Sequence, residues 1–329
     1  MNNTLHTTKL GSYINGYSDQ LLQTDLGEKL RGRVQLILTS PPFPLNNKKS
    51  YDNLQGEQYK IWFINLAKIF AELLTEDGSI VIEMGNAWMP GRPVQSLLHL
   101  ESLIGFVNSN DANLRLCQQF VCYNPSRLPS PAQWVTVNRI RTTDSFTHVW
   151  WMSKSDFPKA DNRKVLRPYS KDMSSLLRRQ KYNQGKRPSG HNISDDGFLV
   201  DHGGSITPNF FELEAMEIGR DVRLPNAFSI SNTGSNDFFH RTCRERNIIP
   251  HPARMPAGLA AFFIQFLTEP NDLVLDPFAG SNTTGFIAEK LNRRWLSIEA
   301  KKEYAQQSII RFEDPVLQNY RTSAKNGDE

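Results

Sequence analysis

This chain predicts an α/β fold in which a mostly parallel sheet carries helices on both faces and a loop-rich region is inserted between the two halves of the sheet. Three observations carry the prediction. Short apolar runs end in turn-forming residues, amphipathic helical periods lie between them, and both patterns occupy the two ends of the chain while fading in the middle.

Val34 to Leu38 (VQLIL) is a continuous apolar run stopped by Ser40-Pro41-Pro42, the pattern of a buried strand followed by a loop. Tyr59, Trp62, Phe63, Leu66, Ile69, Phe70 and Leu73 then recur at steps of three and four, so Gln58 to Leu74 reads as a helix with one apolar face. Glu76-Asp77-Gly78 turns the chain into a second strand, Ser79 to Met84, and strand, helix, strand is the unit of a parallel sheet. A helix near Ser96 to Val107 and strands near Leu116 to Tyr123 and Thr147 to Met152 follow. From about Ser155 to Pro250 periodicity is weak, and Gly, Asn, Ser, Pro and charged residues dominate. Regular pattern returns with a helix Ala257 to Leu267, a strand Leu273 to Leu275, a glycine-containing loop, a helix Thr283 to Leu291, a strand Trp295 to Ile298 and a helix Glu303 to Phe312. The tail from Gln318 is polar. The expected organisation is therefore 1–154, 155–250 and 251–329, with the sheet built from the first and last parts.

At 329 residues, with 39% hydrophobic and 22% charged, the chain has enough material for a large core, and its composition excludes a disordered, collagen-like or coiled-coil protein. The start, MNNTLHTTKLG, has no apolar core of a secretory signal, and no apolar run approaches the ~18 residues of a membrane span. A soluble intracellular protein is expected. Cys117, Cys122 and Cys243 are an odd set with no CxxC spacing, which suggests neither a disulfide framework nor a metal site.

The net charge of +4 is an average over unlike parts. Lys159 to His191 holds ten basic and two acidic residues, a balance of +8, and the remainder holds 28 basic against 32 acidic, a balance of −4. Such clustering fits contact with a phosphate backbone, because each Lys or Arg that neutralises a phosphate releases condensed counterions.

Two constellations carry chemistry. In Leu273 to Gly285 a strand, a tight turn and a helix start succeed one another. Gly280 permits close approach of a ligand, and Asp276 stands at the strand's carboxyl end, where α/β sheets bind ligands. Glu299, at the end of the next strand, is placed to accept hydrogen bonds from ribose hydroxyls. GxGxxG and the Walker lysine are both missing, so a nicotinamide or P-loop site is a poor match. The second constellation is Thr39-Ser40-Pro41-Pro42-Phe43-Pro44, where prolines fix the backbone and supply carbonyl acceptors without adjacent N–H donors. Such a loop suits a substrate amino group, with Phe43 offering a stacking face.

Taken together, TSPPF after one strand and DPFAGSNTTG after another resemble the catalytic and S-adenosylmethionine-binding motifs of DNA amino-methyltransferases. The Ser-Pro-Pro-aromatic form is similar to that of the cytosine-N4 enzymes, and the order of motifs resembles the β group. Further segments are similar to modification methyltransferases of this kind: Lys48 to Leu54, Asn124 to Pro131, Val149 to Lys154, Arg187 to His191 and His251 to Arg254. The likeness runs from about Tyr13 to Phe312. Two departures stand out. Asn282 replaces a second glycine of the cofactor loop, and the acid expected directly after Gly16 is absent, with Ser18 and Asp19 nearby.

The resemblance implies a Rossmann-like methyltransferase fold with a catalytic half in 1–154, a target-recognition region in 155–250 and a cofactor half in 251–329. It implies methyl transfer from S-adenosylmethionine to cytosine N4 in double-stranded DNA, in a prokaryotic cytoplasm, beside a restriction endonuclease that acts on the same site. Adenine-N6 methylation and a catalytically silent DNA-binding relative are the alternatives. Ser40, Pro41, Pro42 and Phe43 become the candidate catalytic residues, with Ser40 as hydrogen-bond acceptor and not nucleophile. Asp276, Phe278, Gly280, Ser281, Asn282, Thr283 and Glu299 become candidate cofactor contacts. Lys48 and Lys49 on a flap, Lys186, Arg187, Ser189 and His191 in the insertion, and Arg127, Arg139 and Arg141 become candidate DNA contacts.

Overall fold

A computed structural model describes residues 4–44, 54–181, 185–186, 188, 192–193, 199–212, 238–250 and 255–313. The sequence-predicted strands form β3 (Val34–Thr39), β4 (Leu74–Gly85), β5 (Arg115–Tyr123), β6 (Phe146–Ser153), β10 (Leu273–Asp276) and β11 (Arg294–Glu299). Three further strands, β1 (Thr4–Thr7), β2 (Gly11–Asn15) and β9 (Phe210–Glu212), complete a nine-stranded sheet in the order β1-β2-β11-β10-β3-β4-β6-β5-β9; β7 (Gly185–Lys186) and β8 (Asn192–Ile193) pair apart from it, and the short helices α1 (Ser18–Leu21) and α2 (Asp25–Leu30) lead into β3. The run from β2 to β4 is parallel throughout, whereas β6 lies antiparallel to both β4 and β5.

The parallel run is buried on both faces, which explains its unbroken apolar strands. On β3, Leu36 and Leu38 pack into one core with α7 (Ala257–Leu267) and α8 (Thr283–Lys290), while Ile37 packs into the other with α3 (Gly56–Leu73) and α4 (Leu98–Val107). Each such fully buried side chain contributes about 1.5–3 kcal/mol relative to exposure. Helices on both faces are thus borne out. Pairing of β3 with β4 jumps from Val34–Leu74 to Leu36–Ser79, so the predicted turn at Glu76-Asp77-Gly78 is a bulge inside one longer strand.

The chain leaves β3 through α3 toward β4 on one side, and leaves β10 through α8 toward β11 on the other. Adjacent strands with diverging connections open a crevice at their carboxyl ends, the position where such sheets bind ligands. Thr39 Oγ1 donates to Asp276 Oδ1 at 2.7 Å across this point.

Several expectations need correction. The predicted helix Glu303 to Phe312 is two short ones, α9 (Lys302–Gln307) and α10 (Ile309–Phe312). The stretch after Ser155 contains α5 (Lys171–Arg179) and α6 (Phe238–Glu245), and it supplies β9 to the sheet edge. α5 escaped detection because it is short and its apolar stripe, Met173, Leu176 and Leu177, is only half-buried amid polar residues; Ser170 caps it by accepting from Met173 N at 3.1 Å. The basic stretch also divides. Lys159 pairs with Asp272 at 2.8 Å, Lys164 pairs with Glu269, and Arg163 pairs with Asp161 at 2.8 Å, so its first part is tied to acids, two of them on the body. Lys171, Arg178, Arg179 and Lys181 are exposed. No described helix is long and apolar enough to cross a membrane, and no metal-binding cluster occurs among the described residues.

Candidate active site

A cavity of about 790 Å³ opens at the crevice, and both sequence constellations line it. On the β10–β11 side, Asp276, Phe278, Gly280, Ser281, Thr283 and Glu299 all face it. Gly280 sits at φ +51°, a left-handed conformation that suits glycine. The turn is fastened by Tyr13 Oη donating to Gly280 O at 2.6 Å. Buried Arg311 donates to Ser281 O at 2.6 Å and to Ser281 Oγ at 2.9 Å. Glu299 accepts from Gly280 N at 3.0 Å and from Lys301 N at 2.9 Å, one bond to each carboxylate oxygen. Each oxygen keeps a lone pair, since a carboxylate has about four acceptor sites. Burial raises the pKa of Glu299, and burial pushes Asp276 up to about 6 against the hydrogen bonds it accepts.

Asn282 is the exception among the predicted cofactor contacts, because it does not line the cavity. Its backbone is left-handed at φ +61°, and its Oδ1 accepts from Gly285 N at 3.1 Å and Ser297 Oγ at 2.6 Å. The side chain caps α8 and points into the fold. Asn tolerates that backbone better than other non-glycine residues, which accounts for it where a glycine was expected.

On the β3–β4 side, Ser40, Pro41, Pro42 and Phe43 line the cavity. Phe43 lies against Gly85, where an added Cβ would fall 2.5 Å from the ring, so the glycine makes room for the aromatic face. Beneath Ser40 stands a residue that the motif search missed. Glu83, on β4, is buried and lines the cavity; it accepts from Thr147 Oγ1 at 3.0 Å, and the Ser40 side chain beside it also favours its charged form. Burial pushes its carboxyl up to about 7, opposed by those two side chains and the Arg127 charge. A lone acid in the apolar stretch Ile80 to Met84, near the strand's carboxyl end, was the available signal.

Glu83 makes a testable contribution to stability. Its folded pKa of about 7 exceeds the ordinary 4.5, so the folded state holds the proton more tightly than the unfolded chain. Its contribution is complete below pH 4.5 and is lost as pH rises to 7, at up to roughly 1.4 kcal/mol per pH unit. Melting of Glu83→Gln compared with the unaltered protein between about pH 5 and 8 is expected to show the variant gaining relative stability with pH. Parallel melting curves would rule out the assignment.

Other groups complete the wall. Gly16 to Gln20 line the cavity. Asp19, the acid nearest the expected Gly-Asp position, accepts from Trp62 Nε1 at 3.2 Å, and Trp62 meets Phe278 edge-on at 5.6 Å between centroids. Tyr59 also lines the cavity, and its buried hydroxyl has no hydrogen-bond partner among the described residues. Such an atom costs free energy unless a ligand or water satisfies it.

The predicted DNA contacts scatter. Arg127 lines the cavity and donates to Phe146 O at 3.3 Å. Arg139 is exposed with φ +54°. The Arg141 guanidinium stacks 4.0 Å above the Trp88 ring and donates to Pro93 O at 2.8 Å. Lys186 lies on a short strand paired with Asn192–Ile193, and Lys48, Lys49, Arg187, Ser189 and His191 lie outside the described residues.

Comparison with known proteins agrees with this geometry. Residues 34–310 match a family described as DNA methylase. The chain is 42% identical over 311 residues to the Type II methyltransferase M.PvuII of Proteus hauseri, covering 94% of this chain and 85% of that one. It is 24% identical over 278 residues to the Type II methyltransferase M.BglII of Bacillus subtilis, covering 82% and 61%. Among solved structures it is similar to PvuII DNA methyltransferase (cytosine-N4-specific), with a TM-score of 0.70, 34% identity and coverage of 97% and 94%. It shares a fold with Thermus thermophilus TTHA0409, solved with S-adenosyl-L-methionine, at a TM-score of 0.51, 17% identity and coverage of 92% and 93%.

Proposed function

The chain belongs to the DNA methylase family, and from that premise we propose that it moves the methyl group of S-adenosylmethionine to the exocyclic N4 of a cytosine extruded from a specific short duplex sequence, as the modification partner of a restriction system. The observation that carries this reading is that Ser40, followed by two prolines and backed by Glu83, faces the same cavity as Glu299. The cytosine-N4 specificity printed for the PvuII enzyme supports the choice of base.

The cavity fits the cofactor on two grounds: Glu299 on its wall retains free lone pairs, and the Tyr59 hydroxyl has no partner among the described residues. When bound, S-adenosylmethionine supplies an electrophilic methyl group on a positively charged sulfur. Glu299 accepts hydrogen bonds from the ribose hydroxyls, and Gly280 lets the backbone approach closely.

Cytosine N4 is a poor nucleophile because its lone pair is delocalised into the ring. Ser40 Oγ and the Pro41 carbonyl accept the amino hydrogens, drawing the nitrogen toward sp³ and freeing that lone pair. With its own proton directed to Glu83, Ser40 presents its lone pairs to the substrate. Glu83, the buried carboxylate beside Ser40, takes the proton that leaves the amino group, and Phe43 stacks on the base. Rate enhancement rests on positioning and on dipoles fixed in advance.

The target atom lies inside the duplex, so the base enters the cavity at a cost of a few kcal/mol. Residues 155–250 serve as the recognition region, and exposed Lys171, Arg178, Arg179 and Lys181 contact phosphates. The test is to incubate the protein with DNA and methyl-labelled cofactor, digest to nucleosides and weigh the product. Label in N4-methyldeoxycytidine is expected. Label in N6-methyldeoxyadenosine would move the reading to adenine, and no label in any DNA would leave a DNA-binding protein without the chemistry.

A further inference from the structure

Residues 124–145 connect β5 to β6, and both ends of this connection line the cavity: Asn124 and Arg127 at one, Ser145, Phe146 and Thr147 at the other. The entry turn is rigid. Ser126 N donates to Asn124 Oδ1 at 3.0 Å, Arg127 N to Asn124 O at 3.2 Å, and Asn124 N to Ser145 O at 2.7 Å, with Pro125 and Pro129 on either side. The residue that follows this turn, next in sequence to the cavity-lining Arg127, is Leu128, a large apolar side chain that is 80% exposed.

An exposed leucine on a fixed turn at a cavity rim serves no folding purpose, since exposure forgoes the stabilisation of burial. The connection carries three arginines against one aspartate, and that aspartate is bonded to Asn86 Nδ2 at 2.7 Å. A basic surface with an apolar point fits a nucleic-acid strand: the charges meet phosphates, and the apolar group meets base faces. Phe157 is equally exposed at 88%, but it lies near Lys159, whose N–H bonds Asp77 O at the amino end of β4's main pairing, away from the cavity.

We propose that Leu128 is the positioning residue that enters the duplex and fills the gap left when the target base is extruded into the cavity; the inference rests on the function proposed above. Extrusion removes stacking on both sides of one base. A leucine inserted there restores apolar contact without bringing a polar group that must be desolvated. Its fixed turn means little ordering entropy is lost on insertion.

The test uses two duplexes carrying the site found in methylated DNA, one fully paired and one with the target cytosine opposite an abasic position, where extrusion is already easy. Leu128→Ala is expected to methylate the paired duplex about 10- to 100-fold more slowly, while the abasic-paired duplex is methylated within about twofold of the unaltered rate. Leu128→Met restores the paired rate, and Phe157→Ala changes neither. Equal loss on both duplexes, or no loss on either, would overturn the role of Leu128. An unaltered protein that methylates neither duplex would instead overturn the function on which the inference rests.

Discussion

Ser40→Ala is expected to slow methyl transfer by about two to three orders of magnitude, the effect of removing one fixed hydrogen-bonding group from a preorganised site. Affinity for DNA and for cofactor should change little, because the role proposed for Ser40 is confined to the reacting amino group and to Glu83. The loss therefore falls on the rate constant measured in a single turnover with saturating cofactor. A second signature separates this from a simple packing defect. The Ser40 bond lowers the Glu83 pKa, so losing it moves that carboxyl further up and shifts the pH profile of the residual activity to higher pH. A variant with full turnover would show that the amino group is activated elsewhere.

Glu299→Ala is expected to weaken cofactor binding about 10- to 100-fold, since hydrogen bonds to a charged acceptor are each worth about 1.5–3 kcal/mol. Part of the loss comes through the loop, because the same carboxylate accepts from Gly280 N and Lys301 N and so shapes the turn facing the ligand. Glu299→Gln preserves one acceptor and the side-chain shape, and it should lose less. Burial raises the pKa of Glu299, so affinity in the unaltered protein also falls as pH drops through its titration, a dependence both variants lack. Titration calorimetry across pH measures all of this, and unchanged affinity in Glu299→Ala would remove the ribose assignment.

The parallel heart of the sheet was legible in the sequence because its strands are buried on both faces. Val34–Thr39 and Leu273–Asp276 read as continuous apolar runs, and the helices between them carry strong periods. The edges were not. Thr4–Thr7 and Phe210–Glu212 are short and half-exposed, and their place is set by pairing with β2 and β5, which no local pattern encodes. That Ser40 and Glu299 stand at strand ends facing one crevice was legible because loop chemistry at strand ends is local. Glu83 and Tyr59 were not, since each sits in an element that reads as core, and only the fold brings them beside Ser40 and Phe278.

The central claim is that this site methylates cytosine at N4 in a defined duplex sequence, and the most direct measurement is to express the protein in a host whose DNA carries no methylation and sequence the genomic DNA at single-molecule level. The predicted result is one short sequence in which a cytosine is modified at N4, with the mark absent when the Ser40→Ala variant is expressed instead. Modified adenine, or unmodified DNA from a host that contains folded protein, would contradict it.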